Sequence, residues 1–544
     1  MPNAIPFRRF GTMIDCSRNA VMNLPSLKKW VDILSSLGYN CLLLYIEDTY
    51  EIPGQPWFGH LRGRFSQEEL RELDAYAADK GVELIPCIQT LAHLNAIFKW
   101  PCYQAVRDCD DILLAEDEKT YAFIDEMFAS IAATYRTRQV NIGMDEAHML
   151  GRGKYQDING LKDRSQILVD HLARVAEIAA KYGLELTMWG DMFFRMISGG
   201  SYYTEVTVSE DVKKKIPENV HLVYWDYYTT DYQRYHNQIR YHNAIKEDCW
   251  FAGGLWTWRG FAPHNDFSMR ASRAAMQACA DSGVKDVFFT MWGDNGGECS
   301  RFSLLPSLYY AAQIAAGVTD TDAIKAGFAD TFGVSFDDFM LLDLSGTPGA
   351  EEDVKGEPCN AEKYLLYNDC FMGKMDATVR EGDAAGYARC GEKLRAVENR
   401  GEFGHLFDTM AALCGVLALK TDLGIRTRDA YLAGDKAALR ALLADYDEVG
   451  LRLNTFFEAF RIQWMKENKP HGFDVQDTRL GGLMRRVRSC RERLAQYLQG
   501  EVSRIEELEE PVLHHSGAPD AQPGPVCLNQ WDNIISANVV SREA

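Results

Sequence analysis

Eight short apolar runs, separated by stretches with helical spacing, set the rhythm of the chain between residues 10 and 315. The runs are FGTMIDC (10–16), NCLLLYIED (40–48), ELIPCIQT (83–90), QVNIGMDE (139–146), LELTMWGD (184–191), VHLVYWDY (220–227), WFAGGLWTW (250–258) and VKDVFFTMWGD (284–294). Their apolar character is continuous rather than alternating, which marks parallel strands covered on both faces. Amphipathic stretches lie between them, such as PSLKKWVDILSSLG (25–38), SQEELRELDAYAADKG (66–81) and DRSQILVDHLARVAEIAAKYG (163–183). Each ends in Gly and two open with Ser or Asp, the punctuation of helices. Eight strand–helix units in roughly 300 residues match the size of a TIM barrel. The rival, a doubly wound open sheet, lacks its usual GxGxxG or GxxxxGK(S/T) signature after the first strand.

After about residue 320 the strand rhythm stops. HLFDTMAALCGVLALKTDLGIRTRDAYLAG, KAALRALLADYDEVGLRLNTFFEAFRIQW and LGGLMRRVRSCRERLAQYLQGEVSRIEEL repeat apolar residues at helical spacing, with charges between. The Met and aromatic stripes here read as core. HHSGAPDAQPGP (514–525) reads as a loop, and NQWDNIISANVV (529–540) as a last run that returns onto the body. The expected fold is therefore α/β: a (β/α)8 TIM barrel over residues 1–320, followed by a mainly α-helical C-terminal domain with a terminal tail over 321–544.

Charge narrows the partners. With 58 Lys+Arg against 78 Asp+Glu the net charge is -20. Such a surface repels phosphate backbones and anionic bilayers, so neither nucleic acid nor membrane is expected. No apolar run is expected to span a bilayer, and MPNAIPFRRFG has no signal-like apolar segment. The 14 cysteines form no CxxC pair, so neither a metal nor a cofactor is implied, and free thiols point to the cytoplasm.

In a TIM barrel the chemistry sits at the C-terminal ends of the strands. Here those ends carry Asp15 and Arg18, Glu47 and Asp48, Gln89 and His93, and Asp145 and Glu146. The second half continues with Trp189 and Asp191, then Trp225, Asp226 and Tyr227, Trp256 and Trp258, and Trp292 and Asp294. Carboxylates accept hydroxyl protons and indoles stack on the apolar face of a pyranose, so the recurrence describes a carbohydrate site. A single tryptophan at a strand end could equally fill the barrel rim; four strand ends together favour the site.

Asp145 and Glu146 are neighbours at the end of the fourth run. Consecutive residues on a strand point to opposite sides, so the two cannot face one another across a sugar as opposed acid and nucleophile. Beside each other they suit an acid and a polarising carboxylate, with the nucleophile supplied by the substrate, as a 2-acetamido group would. An alternative is an ordinary retaining glycosidase on unsubstituted sugars, pairing Glu146 with Asp294 or Glu47. A third is a catalytically dead glycan-binding barrel, which the intact acidic pair speaks against.

The pair resembles the His-x-Gly-Gly-Asp-Glu signature of family 20 glycoside hydrolases, the β-N-acetylhexosaminidases. MIDCSRNA (13–20) resembles that family's first strand, with Arg18 at the place of its sugar-binding arginine. WGD (292–294) resembles its eighth-strand Trp-x-acid, and LYIEDTYEIPGQPWFGHLRGRF (44–65) is similar to the compact hexosaminidase D-like and bacterial cytoplasmic branch. The resemblance spans about residues 8–315. It implies hydrolysis of terminal β-linked GlcNAc, GalNAc or both from a small glycan, through an oxazolinium intermediate and with retention. Glu146 would be acid and base, Asp145 would orient the acetamido group, and Tyr227, with Tyr228 as the alternative, would hold its carbonyl oxygen. Trp189, Trp225 and Trp292, with Trp256 or Trp258, would form the aromatic wall. Arg18 and Asp294 would bind ring hydroxyls, with His93 near the acids. Apart from the resemblance, the helical C-terminal part offers a surface on which a homodimer could form. Two positions depart from the signature, Asn141 for its histidine and Met144 for its second glycine.

Overall fold

The computed structural model describes residues 5–347, 358–518 and 521–527. The run at 529–540, expected to return onto the body, lies outside the described residues.

Eight parallel strands close into a barrel: β1 (Arg9–Asp15), β2 (Cys41–Tyr45), β3 (Glu83–Cys87), β4 (Gln139–Asn141), β5 (Glu185–Trp189), β6 (Val220–Trp225), β7 (Trp250–Gly254) and β8 (Asp286–Met291). Each pairs with the next in chain order, and β8 returns to β1 with Phe10 opposite Val287 and Ile14 opposite Met291. Every residue of β2 and β8 is buried, as continuous apolar runs require. The strands start where expected but stop earlier. The largest difference is at β4, which ends at Asn141, so Asp145 and Glu146 lie beyond it rather than on it.

The helices between strands follow their local signals. Leu24–Ser36 opens on Asn23, whose side chain accepts the Ser26 N–H at 2.9 Å. Gln67–Asp79 opens on a capping box between Ser66 and Glu69. Arg164–Ala180 opens on Asp163. Gly38, Gly81 and Gly183 follow these three with positive φ.

The chain divides into two compact units that interleave in sequence. The first comprises Met1–Leu255, Ser268–Trp292 and Tyr310–Val318; the second comprises Trp256–Phe267, Gly293–Tyr309 and Thr319–Ala544. The segments that follow β7 and β8 thus belong to the second unit, and the two units do not meet at one boundary.

The second unit is helical. Its longest helix, Lys436–Glu467, buries Leu439, Leu442, Tyr446, Val449, Leu453, Phe456, Phe460 and Trp464, a stripe at three- and four-residue steps. Phe261, from the segment after β7, meets Phe456 and Phe460 at ring distances of 5.4 Å. The stretch Gly401–Leu432 corrects one expectation: by length and apolarity it is enough to cross a bilayer. Leu406, Phe407, Met410, Leu413, Cys414, Val416 and Leu417 within it are buried, the character of a core helix.

Candidate active site

Past Asn141 the backbone leaves the strand through left-handed conformations at Gly143 (φ 73°), Met144 (φ 69°) and Glu146 (φ 50°). Three side chains hold this path, one local and two from other elements. Asn141 Oδ1 accepts the Gly143 N–H at 2.9 Å, Gln89 Oε1 accepts the Met144 N–H at 3.2 Å, and Asp191 Oδ2 accepts the Glu146 N–H at 3.2 Å. Only glycine fits at 143, because a Cβ there would stand 2.0 Å from Gln89 Oε1 and the φ is positive.

The turn brings both acids to one imidazole. His93 Nε2 lies 3.2 Å from Asp145 Oδ2 and 4.0 Å from Glu146 Oε2. The premise of two side chains diverging from an extended strand is therefore corrected: the backbone is not extended here, and both carboxylates face the same cation. Asp145 Oδ1 also accepts a 2.8 Å hydrogen bond from Gln89 Nε2. Burial works to raise the Asp145 pKa, but the charge and hydrogen bond of His93, with the bond from Gln89, hold it below its ordinary value. Burial opposes charge on His93 too, yet Asp145 outweighs it and lifts the imidazole to about 10. The result is a buried anion beside a cation at neutral pH.

From Asp145 a chain of polar groups runs across β3, β2 and β1. Gln89 Nε2 also donates to Tyr45 Oη at 2.8 Å, and the Tyr45 hydroxyl donates to Glu47 Oε1 at 2.9 Å. Glu47 Oε1 meets Arg18 Nη1 at 2.9 Å. Burial pushes Glu47 up to about 7 against the opposing pull of Arg18. The Arg18 guanidinium lies over the rings of Tyr45 and Trp292, at 5.0 and 5.6 Å.

Aromatic rings close the other side. Trp292 meets Tyr45 edge-on at 4.7 Å and Trp189 at 5.9 Å. Tyr227 stacks on Trp225 at 5.3 Å. Burial lifts the Tyr227 phenol well above its ordinary value, and hydrogen bonds from Trp292 and Thr290 act the other way. Tyr228 is half-buried, its N–H on Asp226 Oδ1 at 3.1 Å. Trp189 is buried and also packs on Phe288, so its ring serves the barrel interior as well as the site.

The first unit thus connects Arg18, His93, Asp145, Glu146, Trp189, Trp225, Tyr227 and Trp292. Trp256, Trp258 and Asp294 belong to the second unit, where Trp256 and Trp258 stack at 4.3 Å. The sequence gives no role to Tyr45, Gln89, Asp191 or Arg195, whose guanidinium meets Glu146 Oε1 at 3.3 Å, and it offers Glu47 only as an alternative nucleophile. Glu47, Gln89 and Asp191 stood at strand ends, which was their one signal. Arg195 sits four residues after Asp191, a spacing that pairs side chains on a helix, and nothing in the sequence marks its helix as part of the site.

Two family models match the chain: the glycosyl hydrolase family 20 catalytic domain over residues 6–246 and the Glycoside Hydrolase 20C C-terminal domain over residues 337–527. The chain belongs to glycoside hydrolase family 20. Among curated relatives, hexosaminidase D of Bos taurus is 24% identical over 212 residues, covering 36% of this chain and 56% of the relative. Human hexosaminidase D is 22% identical over 239 residues, covering 42% and 46%. A β-hexosaminidase of Vibrio furnissii is 27% identical over 177 residues, covering 26% and 29%. The chain spans about half the length of the hexosaminidase D relatives it matches. The X-ray structure of Flavobacterium johnsoniae chitobiase covers 92% of this chain and 74% of its own at 15% identity, with a TM-score of 0.45, too loose a likeness to bear on the chemistry. Against the family 20 signature, Asn141 and Met144 now have a physical account. Asn141 pins the turn through its side-chain carbonyl, and Met144 takes the left-handed conformation that a glycine would adopt freely.

Proposed function

We propose that this family 20 chain is an exo-acting β-N-acetylhexosaminidase, taking terminal β-linked GlcNAc or GalNAc from small glycans by substrate-assisted catalysis. The observation that carries the reading is the convergence of Asp145 and Glu146 on His93, at 3.2 and 4.0 Å. Two carboxylates beside one cation are poorly placed to flank a scissile bond as acid and nucleophile. The reading that uses Glu47 as nucleophile fares worse. Glu47 is committed to Arg18 and Tyr45, and its rise to about 7 leaves only part of it as the nucleophilic anion at neutral pH.

Glu146 protonates the glycosidic oxygen. As that C–O bond breaks and the alcohol departs with the proton, the acetamido carbonyl oxygen bonds to the anomeric carbon from the opposite face. The positive oxazolinium so formed has its N–H beside Asp145, which His93 and Gln89 keep anionic and correctly aimed. Tyr227 holds the carbonyl oxygen during attack, against a wall of Trp189, Trp225 and Trp292. Glu146, now a carboxylate, takes a proton from water as the water oxygen bonds to the anomeric carbon, the ring opens and configuration is retained. Arg18 binds ring hydroxyls. The cytoplasm is the proposed compartment, from cysteine usage.

The test compares 4-nitrophenyl N-acetyl-β-glucosaminide with 4-nitrophenyl β-glucoside. The acetamido substrate should turn over at least about 100-fold faster, the scale of a lost oriented nucleophile, and Asp145→Asn should lose most of that turnover. Comparable cleavage of the glucoside would overturn the mechanism.

A further inference from the structure

Glu146 is gripped at two points by one ion pair. Asp191 opens the helix Asp191–Ser198, and Arg195 follows one turn later on the same face. Asp191 Oδ2 accepts from Arg195 Nε at 2.9 Å and from the Glu146 N–H at 3.2 Å. The outer nitrogens of the same guanidinium continue the grip. Nη2 reaches Glu146 Oε1 at 3.3 Å, and Nη1 donates to the carbonyl of Gly200 at 3.3 Å. The guanidinium also lies 5.8 Å from the ring of Tyr202 and 5.9 Å from that of Trp225. All three of its nitrogens are spent and its plane is set by aromatic rings, so the fork has little freedom to turn.

That rigidity answers two needs of Glu146. Its backbone φ of 50° is uncommon for a residue with a Cβ and needs an external hold, which the bond to Asp191 supplies. Its side chain is 40% exposed and would swing through several rotamers unless Arg195 fixed one. Asp191 itself is a poor structural investment. It is fully buried, and its Oδ1 has no hydrogen-bond partner among the described residues. Burial and the charges of Asp145 and Glu146 push it up to about 7, against the opposing pull of Arg195 and of the Glu146 N–H. A buried carboxylate kept at that cost calls for a purpose other than stability.

We propose that Asp191 and Arg195 are positioning residues for proton transfer by Glu146, fixing its backbone and one carboxylate oxygen so that the other faces the glycosidic oxygen. The inference rests on the reading of Glu146 as the acid. Neither residue touches the reacting atoms; both act through Glu146. Their loss should therefore be felt where the leaving group needs a proton and spared where it does not.

The experiment measures kcat on N,N′-diacetylchitobiose, whose leaving alkoxide requires protonation, and on 2,4-dinitrophenyl N-acetyl-β-glucosaminide, whose phenolate departs without it. Arg195→Met should lose roughly tenfold or more on the disaccharide, within the range that general acids contribute, and several-fold less on the activated substrate. Asp191→Asn should show the same imbalance, and Arg195→Lys should recover part of the disaccharide rate. Residual turnover of the activated substrate reports that each variant is folded. Equal losses on both substrates, with the unaltered enzyme active, would overturn the positioning role alone. An unaltered enzyme inert on both would remove the reading of Glu146, and this inference with it.

Discussion

Glu47 shows how one carboxyl can tie a site to pH without touching the bond that breaks. Its ordinary value of 4.5 becomes about 7 in the folded chain, because burial disfavours the anion more than Arg18 restores it. Between those values the folded state binds more protons than the unfolded state, so stability falls as pH rises through the window. His93 acts further up the scale. Lifted from 6.5 to about 10, it contributes fully below 6.5 and is lost as pH climbs through its folded value. Asp145, held below 3.8, has the opposite sign, contributing above that value and fading as the medium turns more acid. Glu47→Gln removes one of these titrations. Urea unfolding of the variant across pH 4.5 to 7 should show a shallower decline than the parent, and parallel declines would mean that Glu47 is not the group titrating.

The segment between β4 and Glu146 is where one element decides the chemistry. Gly143→Ala would add a Cβ 2.0 Å from Gln89 Oε1 at a φ of 73°. Backbone strain of this kind costs about 1–3 kcal/mol, and the variant should also lose turnover, because Gln89 must move and Gln89 holds Asp145. Thermal unfolding and kcat on the 4-nitrophenyl substrate check both; a variant with the parent's melting temperature and rate would count against the account. The same segment marks the limit of what was readable in advance. The barrel was legible because eight buried strands must be apolar throughout, and that pattern survives in any single sequence. The end of β4 was not, since QVNIGMDE stays apolar up to the acids while the chain has already turned at Gly143. What turns it are side chains from other elements, Gln89 after β3 and Asp191 after β5, and their reach has no local signature. The acids stand out in the sequence as a neighbouring pair, whereas Arg195 carries no local mark of the helix that begins beside them.

At the scale of the whole molecule, the second unit contains a charge arrangement with a built-in asymmetry. Glu298 meets Lys363 at 3.0 Å and Arg479 at 3.3 Å, with all three side chains no more than 2% exposed. Gln476 and Arg479 also hold the carbonyls of Gly296 and Asn295, so the cluster fixes the chain just after β8. Glu298→Gln leaves two buried cations without their carboxylate and should cost about 3–5 kcal/mol. Lys363→Met leaves the Glu298–Arg479 pair intact and should cost clearly less. Denaturant unfolding of the two variants would show the order, and a reversed order would refute it. The interleaving of the two units carries a further consequence, one of descent. Because segments 256–267 and 293–309 belong with the helices while the sequence around them builds the barrel, no single crossover between genes could exchange one unit and leave the other whole. An exchange of one unit that left the other whole would have to cut the gene at several places at once.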